Sequence, residues 1–192
     1  MTLNRRKLLK LGAGCVAISC APLLARAQPG RSDIIAAKLG ALTVLRGSGC
    51  NVVVLADGET ALVVDGGLSA NADALRDAIV RSTGAQRIAT LINTHWHPEN
   101  TGLNEWVGSS DGEIIAHEVT ARFLRNTSYS ALHEQPISAV SAQAVPNRVI
   151  REDGAFEFAG LQVEYGYLPA AHTNGDIYVH FPELDALATG GV

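Results

Sequence analysis

Apolar residues recur along this chain with two different periods. Short β-branched runs occupy 42–45, 51–55 and 61–64, and Asp57-Gly58 separates the last two. Asp-Gly suits a tight hairpin turn, so the runs read as consecutive strands. Asp65-Gly66-Gly67 ends the third. Over 70–82 the period becomes helical: Ala74, Leu75, Ala78 and Ile79 form an apolar stripe, while Arg76, Asp77 and Arg81 fall on the solvent side. A strand follows at 88–93. A short helix is expected at 101–107, a strand at 114–116 and a helix at 119–125. Strands at 157–158 and 162–165 flank the turn Ala159-Gly160, and the last strands are 177–181 and 186–188. Residues 28–38 read as loose chain. Residues 127–147 are polar, broken by proline and without period, and a loop of that length is more often functional or mobile than structural. Strands outnumber helices and helices fall between strands, which predicts sheets covered by helices.

The N-terminus departs from this pattern. Asn4-Arg5-Arg6-Lys7-Leu8-Leu9-Lys10 resembles a twin-arginine export signal; an apolar stretch over 11–24 and Ala25-Arg26-Ala27 follow. Residues 1–27 are therefore expected to be a cleaved signal, with 28–192 as one domain, placed in the periplasm or secreted. A membrane anchor and lipidation at Cys20 are the other readings, and the stretch is short and glycine-bearing for a spanning helix. Five of the 15 basic residues and none of the 19 acidic ones lie in the signal, so the remainder carries 10 basic residues and a formal charge of −9. No basic patch survives to bind nucleic acid. Cys50 is the one cysteine beyond the signal, so no intrachain disulfide forms, and it reads as a buried thiol.

Candidate chemistry is concentrated in His95-Trp96-His97-Pro98-Glu99-Asn100 and His172-Thr173-Asn174-Gly175-Asp176. In extended chain, residues i and i+2 point to one side, and Pro98 keeps His97 out of the helical region. A third imidazole from another strand end makes three nitrogens. That is the ligand count of a catalytic zinc site with one open position.

These residues resemble the metallo-β-lactamase superfamily, whose signature is H-x-H-x-D-H followed by a distant histidine. Ala61–Gly67 (ALVVDGG) and the closing ALATGGV fall where that family has its Asp-x-Gly and T-G-D turns, so the resemblance spans about residues 40–192. It implies an α+β fold, a four-layered αββα sandwich with the metal at one edge between the sheets. It also implies that the chain lacks the family's C-terminal part, as a natural truncation or a fragment. His95, His97 and His172 become the expected metal ligands, for one zinc rather than two. Glu99 stands where the family has an aspartate. It reads as the general base, or as a solvated loop acid. Asn100 stands where the family has a histidine, and as an amide it reads better as the N-cap of the following helix, beside the centre rather than in it. Gly191 replaces a bridging aspartate, and the final family histidine is absent. Asp65 and Asp176 are expected to support the ligands from behind or to shape their turns. His117 reads as a cap or packing residue, and His133 and His180 as surface or packing. Trp96 and Trp106 read as core, or as walls of a substrate pocket.

The resemblance implies an exported zinc-dependent hydrolase in which a zinc-bound hydroxide attacks an ester, thioester, lactone or amide carbonyl of a small-molecule substrate. The alternative is a non-catalytic or weakly active metal-binding domain. No membrane anchor is expected after cleavage, and the oligomeric state is left open.

Overall fold

The structure, a computed structural model, describes residues 16–19, 33–130 and 135–192. Most of the expected export signal, and His133, lie outside the described residues. In chain order the strands and helices are β1 (Val16–Ser19), β2 (Ile35–Leu39), β3 (Leu42–Arg46), β4 (Val52–Asp57), β5 (Thr60–Val64), α1 (Ala72–Thr83), β6 (Arg87–Ile92), α2 (Asn104–Ser109), β7 (Glu113–His117), α3 (Glu118–Arg125), β8 (Ser128–Ser130), β9 (Gln135–Ile137), β10 (Arg148–Ile150), β11 (Gly154–Phe158), β12 (Leu161–Leu168), β13 (Asp176–Phe181) and β14 (Ala186–Gly190).

Two sheets dominate. The seven-stranded sheet runs β10-β7-β6-β5-β4-β3-β2. Its first half is an antiparallel meander from β2 to β5. From β5 onward the pairings with β6, β7 and β10 are parallel, because α1 and α2 return the chain to the same sheet end. The five-stranded sheet runs β1-β14-β13-β12-β11, antiparallel except that β1 lies parallel to β14. α1 packs on β3, α2 on β6 and β7, and α3 on β7 and β10, all in the seven-stranded sheet. The described residues thus build an α, a β and a β layer of the expected sandwich. Among the described residues no helix is long and apolar enough to cross a membrane.

The central strands of the seven-stranded sheet are buried on both faces, which is why 52–55 and 61–64 are continuous apolar runs rather than alternating ones. Val53, Leu55, Leu62 and Val64 face the other sheet and meet Val163, Ile177, Val179 and Phe181. Val52, Val54, Ala61 and Val63 face the helices and meet Leu75, Ile79 and Val107. Each fully buried Val, Leu, Ile or Phe contributes about 1.5–3 kcal/mol against leaving it in water. α1 ends where Gly84 takes a left-handed φ of 84° and its N–H bonds Val80 O.

Three expectations need correction. Residues 35–39 are not loose: they form β2, an edge strand paired with β3. None of its residues is buried, so it carries no apolar alternation to read. Within 127–147 there are a β8–β9 pair and a turn of 3₁₀ helix at Ala142–Ala144. The helix expected at 101–107 begins only at Asn104. Residues 101–103 are committed elsewhere: Gly102 donates its N–H to Gly67 O at 2.8 Å, and a Cβ on Gly102 would lie 2.3 Å from the Leu68 carbonyl carbon.

Candidate metal centre

β6 delivers the chain to the sheet edge at Ile92, and the loop beyond it carries His95 and His97. The turn before β13 carries His172. Folding brings the three rings together. Their centroids lie 4.8 Å (His95–His97), 4.9 Å (His95–His172) and 4.8 Å (His97–His172) apart, each pair edge to face. One ring nitrogen from each lies within 4.8 Å of the others, and His97 Nδ1 is 3.0 Å from His172 Nε2. Adjacent ligands on a tetrahedral zinc with 2.0–2.1 Å bonds would be about 3.3 Å apart. His95 is 1% exposed, and its Nε2 is buried without a hydrogen-bond partner. Burial lowers the His95 pKa to about 3, with the neighbouring His97 and His172 adding to the effect, so the ring is neutral and ligand-competent at ordinary pH. Ring nitrogens converging around the buried, partnerless His95 Nε2 fit a metal cation.

Asp65 anchors the loop from behind. It sits at the end of β5 with a left-handed φ of 65°, held by its N–H to Ile92 O at 2.8 Å. Its carboxylate accepts the Thr94 N–H at 2.9 Å, the Thr94 hydroxyl at 2.9 Å and the Asn100 side chain. Burial pushes its pKa up to about 7 against the pull of those bonds. The Thr94 hydroxyl is also 3.0 Å from His95 Nδ1.

Asn100 does not cap the helix. The residue at the cap position is Leu103, with no side-chain cap, and Asn100 lies four residues ahead of α2, fully buried. It hydrogen-bonds Asp65 through its side chain and accepts the Gly66 N–H at 2.6 Å through its carbonyl. Asn93 and Asn104 exchange two amide hydrogen bonds at 2.9 and 2.8 Å beneath the loop. Sequence reading missed this pair and Thr94, since nothing local marks partners 11 and 29 positions apart.

The His172 turn is tied down separately. Asp176 accepts the Thr173 N–H, Thr120 donates its hydroxyl to Gly175 O at 3.0 Å, and Tyr167 donates its hydroxyl to Asn174 O at 3.0 Å. Burial raises the Asp176 pKa, and its Oδ1 has no partner. Asp176 therefore shapes the turn. Gly191 lies against His172, where a Cβ would come within 2.6 Å of ring atom Cδ2. Glu99 Oε1 is 3.9 Å from His97 Nδ1, with the side chain 44% exposed.

Trp96 meets the His97 ring edge to face at 4.4 Å and stacks on Phe123 at 4.7 Å. Trp96 and Phe123 help line a cavity of about 330 Å³ with Leu124, Ile137, Val140 and Ala144. Trp106 packs under the Arg76 guanidinium at 4.3 Å. His117 caps α3 by accepting the Val119 N–H at 3.3 Å and stacks on Tyr167. His180 pairs with Glu164 at 3.0 Å. Cys50 is buried.

The family model described as "Metallo-beta-lactamase superfamily" matches residues 45–190, most of the chain. The chain belongs to this superfamily. No curated protein matches it. Solved structures share the fold at low identity. MEM-A1, a subclass B3 metallo-β-lactamase from a soil metagenome library, is 20% identical with a TM-score of 0.62, over 76% of this chain and 56% of that one. A B3 enzyme described as the first with an active-site glutamic acid is 17% identical with a TM-score of 0.66, over 82% of this chain and 60% of that one. BJP-1 of Bradyrhizobium japonicum, also subclass B3, is 16% identical with a TM-score of 0.64, over 79% of this chain and 58% of that one. The chain thus spans less than two thirds of each of these metallo-β-lactamases.

Burial sets two opposed titrations in the metal-free form of this superfamily member. The Asp65 carboxyl keeps its proton in the folded state up to about pH 7, while the unfolded chain releases it near 3.9, so stability falls as pH rises through that interval. His95 refuses a proton down to about pH 3, while the unfolded ring takes one near 6.5, so stability falls as pH drops through that interval. Between about pH 4 and 6.5 the two slopes cancel. Replacing His95 with glutamine should expose the Asp65 slope, making stability fall by up to ~1.4 kcal/mol per pH unit relative to the wild type. Urea titrations of both metal-free proteins at the two ends of the window measure it; parallel pH profiles would count against these assignments.

Proposed function

We propose that the chain is an exported hydrolase that uses a single zinc held by His95, His97 and His172 to cleave an ester, thioester, lactone or amide carbonyl of a small molecule. The observation that carries the proposal is the convergence of three imidazole nitrogens around the buried, partnerless His95 Nε2. Bound there, zinc would act as a Lewis acid toward the substrate carbonyl and bring the pKa of water toward ~7.

The protein's own groups supply the rest. The three imidazoles would hold the ion, and Glu99, on the His97 side of the cluster, accepts the proton of the attacking water at a carboxylate oxygen. As the water oxygen bonds the carbonyl carbon, that proton passes to the departing oxygen, nitrogen or sulfur when the old bond breaks. A fold relative with an active-site glutamic acid supports a glutamate in such a site. One ion rather than two is favoured because Asn100 is turned toward Asp65 and Gly191 offers no donor.

Gly191 also favours the second reading, a weakly active or non-catalytic metal-binding domain. The residues 1–27 support export by the twin-arginine route and removal of the signal. One preparation tests these points: protein purified from the periplasm should begin at Gln28, hold close to one zinc after dialysis, and turn over at least one of a lactone, a thioester and a β-lactam. Two zinc ions, or none, would refute the single-zinc site. One zinc without turnover would favour the second reading.

A further inference from the structure

Thr94 lies between everything that carries the centre. It is fully buried, next to His95 in sequence, and each of its polar atoms has a partner on another element. Its N–H donates to Asp65 Oδ1 at 2.9 Å, and its carbonyl accepts the Ile177 N–H at 2.9 Å, one residue past the turn that carries His172. One main-chain unit therefore ties the loop of His95 and His97 to the strand that follows His172, across the gap between the two sheets. Gly190 of β14 closes over the side chain: a Cβ there would stand 2.3 Å from Thr94 Oγ1 and 3.2 Å from His95 Nδ1. A side chain at 190 would therefore collide with the hydroxyl.

We propose that Thr94 is a positioning residue of the metal centre, whose hydroxyl fixes the tautomer and ring orientation of His95. This rests on the single-zinc reading above. A neutral imidazole carries one N–H and one bare nitrogen. A cation among the three rings requires Nε2 to be the bare one, so Nδ1 carries the proton and needs an acceptor. The acceptor within reach is Thr94 Oγ1, at 3.0 Å. That oxygen can accept because its own single proton goes to the Asp65 carboxyl, whose two oxygens both lie 2.9 Å from it and one of which remains an acceptor whether or not the acid is protonated. The chain of donors runs in one direction, from His95 through Thr94 to Asp65. Ligating histidines commonly donate directly to a carboxylate or carbonyl; here a buried hydroxyl is interposed, and the acid stands one bond further back.

The test compares three versions of the chain by competition with a chelator for zinc. Thr94→Val keeps the shape and removes the hydroxyl, and should weaken zinc binding by about 10–100-fold, the range for loss of a partner behind a metal ligand. Thr94→Ser restores the hydroxyl and should bind within a few-fold of the wild type, although it lacks the methyl group that packing alone would demand. Melts of the zinc-free proteins show whether each variant folds; if Thr94→Val does not, Thr94→Ala takes its place. Equal affinity of wild type and hydroxyl-free variant overturns the inference, as does a serine variant as weak as the valine one. A wild type that binds no zinc refutes the single-zinc reading itself, and this inference with it.

Discussion

Replacing His172 with alanine should abolish zinc binding and leave the fold standing. His172 is the exposed member of the three and contributes no side chain to the buried core, unlike His95, which is 1% exposed. Its loss leaves two imidazoles where a closed set of three is needed. Affinity should fall by more than the ~10–100-fold that follows loss of a mere supporting partner. The readout is a pair of melts with and without zinc. A ligand at 100 times its dissociation constant stabilises a folded protein by about 2.7 kcal/mol. The wild type should show such a zinc-dependent rise and His172→Ala none, with similar zinc-free midpoints. His180→Ala is the control: its ring pairs with Glu164 rather than with the three imidazoles, so its zinc response should survive. An unchanged zinc response in His172→Ala would remove this residue from the centre.

The second large effect falls on turnover. Glu99→Gln keeps the length and shape of the side chain and removes the ability to take a proton. If Glu99 is the base, kcat should drop by about 10²–10⁴-fold, the usual range for losing a positioned acid–base group. Zinc content should not change, since the ligating nitrogens are untouched. The side chain is 44% exposed and Oε1 is 3.9 Å from His97 Nδ1, so the substitution disturbs little packing. A few-fold change in kcat at constant zinc would make Glu99 a solvated loop acid, the other reading of this position. Steady-state kinetics with metal analysis on the same samples separates the two.

Much of this architecture is legible in the order of residues alone. Continuous apolar runs at 52–55 and 61–64 mark strands buried on both faces, because each alternate side chain faces a different apolar layer. Asp57-Gly58 places the β4–β5 turn, and Gly58 takes the left-handed φ of 59° that the turn demands. The spacing His95-x-His97 and the proline after it are also local facts. They put two imidazoles two residues apart just past a strand end before any tertiary contact forms, although the segment itself bends over 94–96 instead of staying extended.

Partnership across the fold could not be read in that way. β2 and β10 are strands because β3 and β7 offer them edges, while their own residues are too exposed or too few to show a period. Asn100 has the composition of a cap, and it turned inward because residues 101–103 are occupied by the contact of Gly102 with Gly67. Asp65 had two equal readings in sequence. Its place behind the histidine loop depends on the parallel register of β5 with β6, which sets Asp65 beside Ile92 and Thr94. His172, 75 positions beyond His97, joins the other two imidazoles only because one sheet packs on the other with Phe181, Val179 and Ile177 between them. Local periodicity encodes the conformation of a segment and the side on which its groups emerge. Which groups then meet is decided by strand register and sheet packing, which are properties of the whole chain.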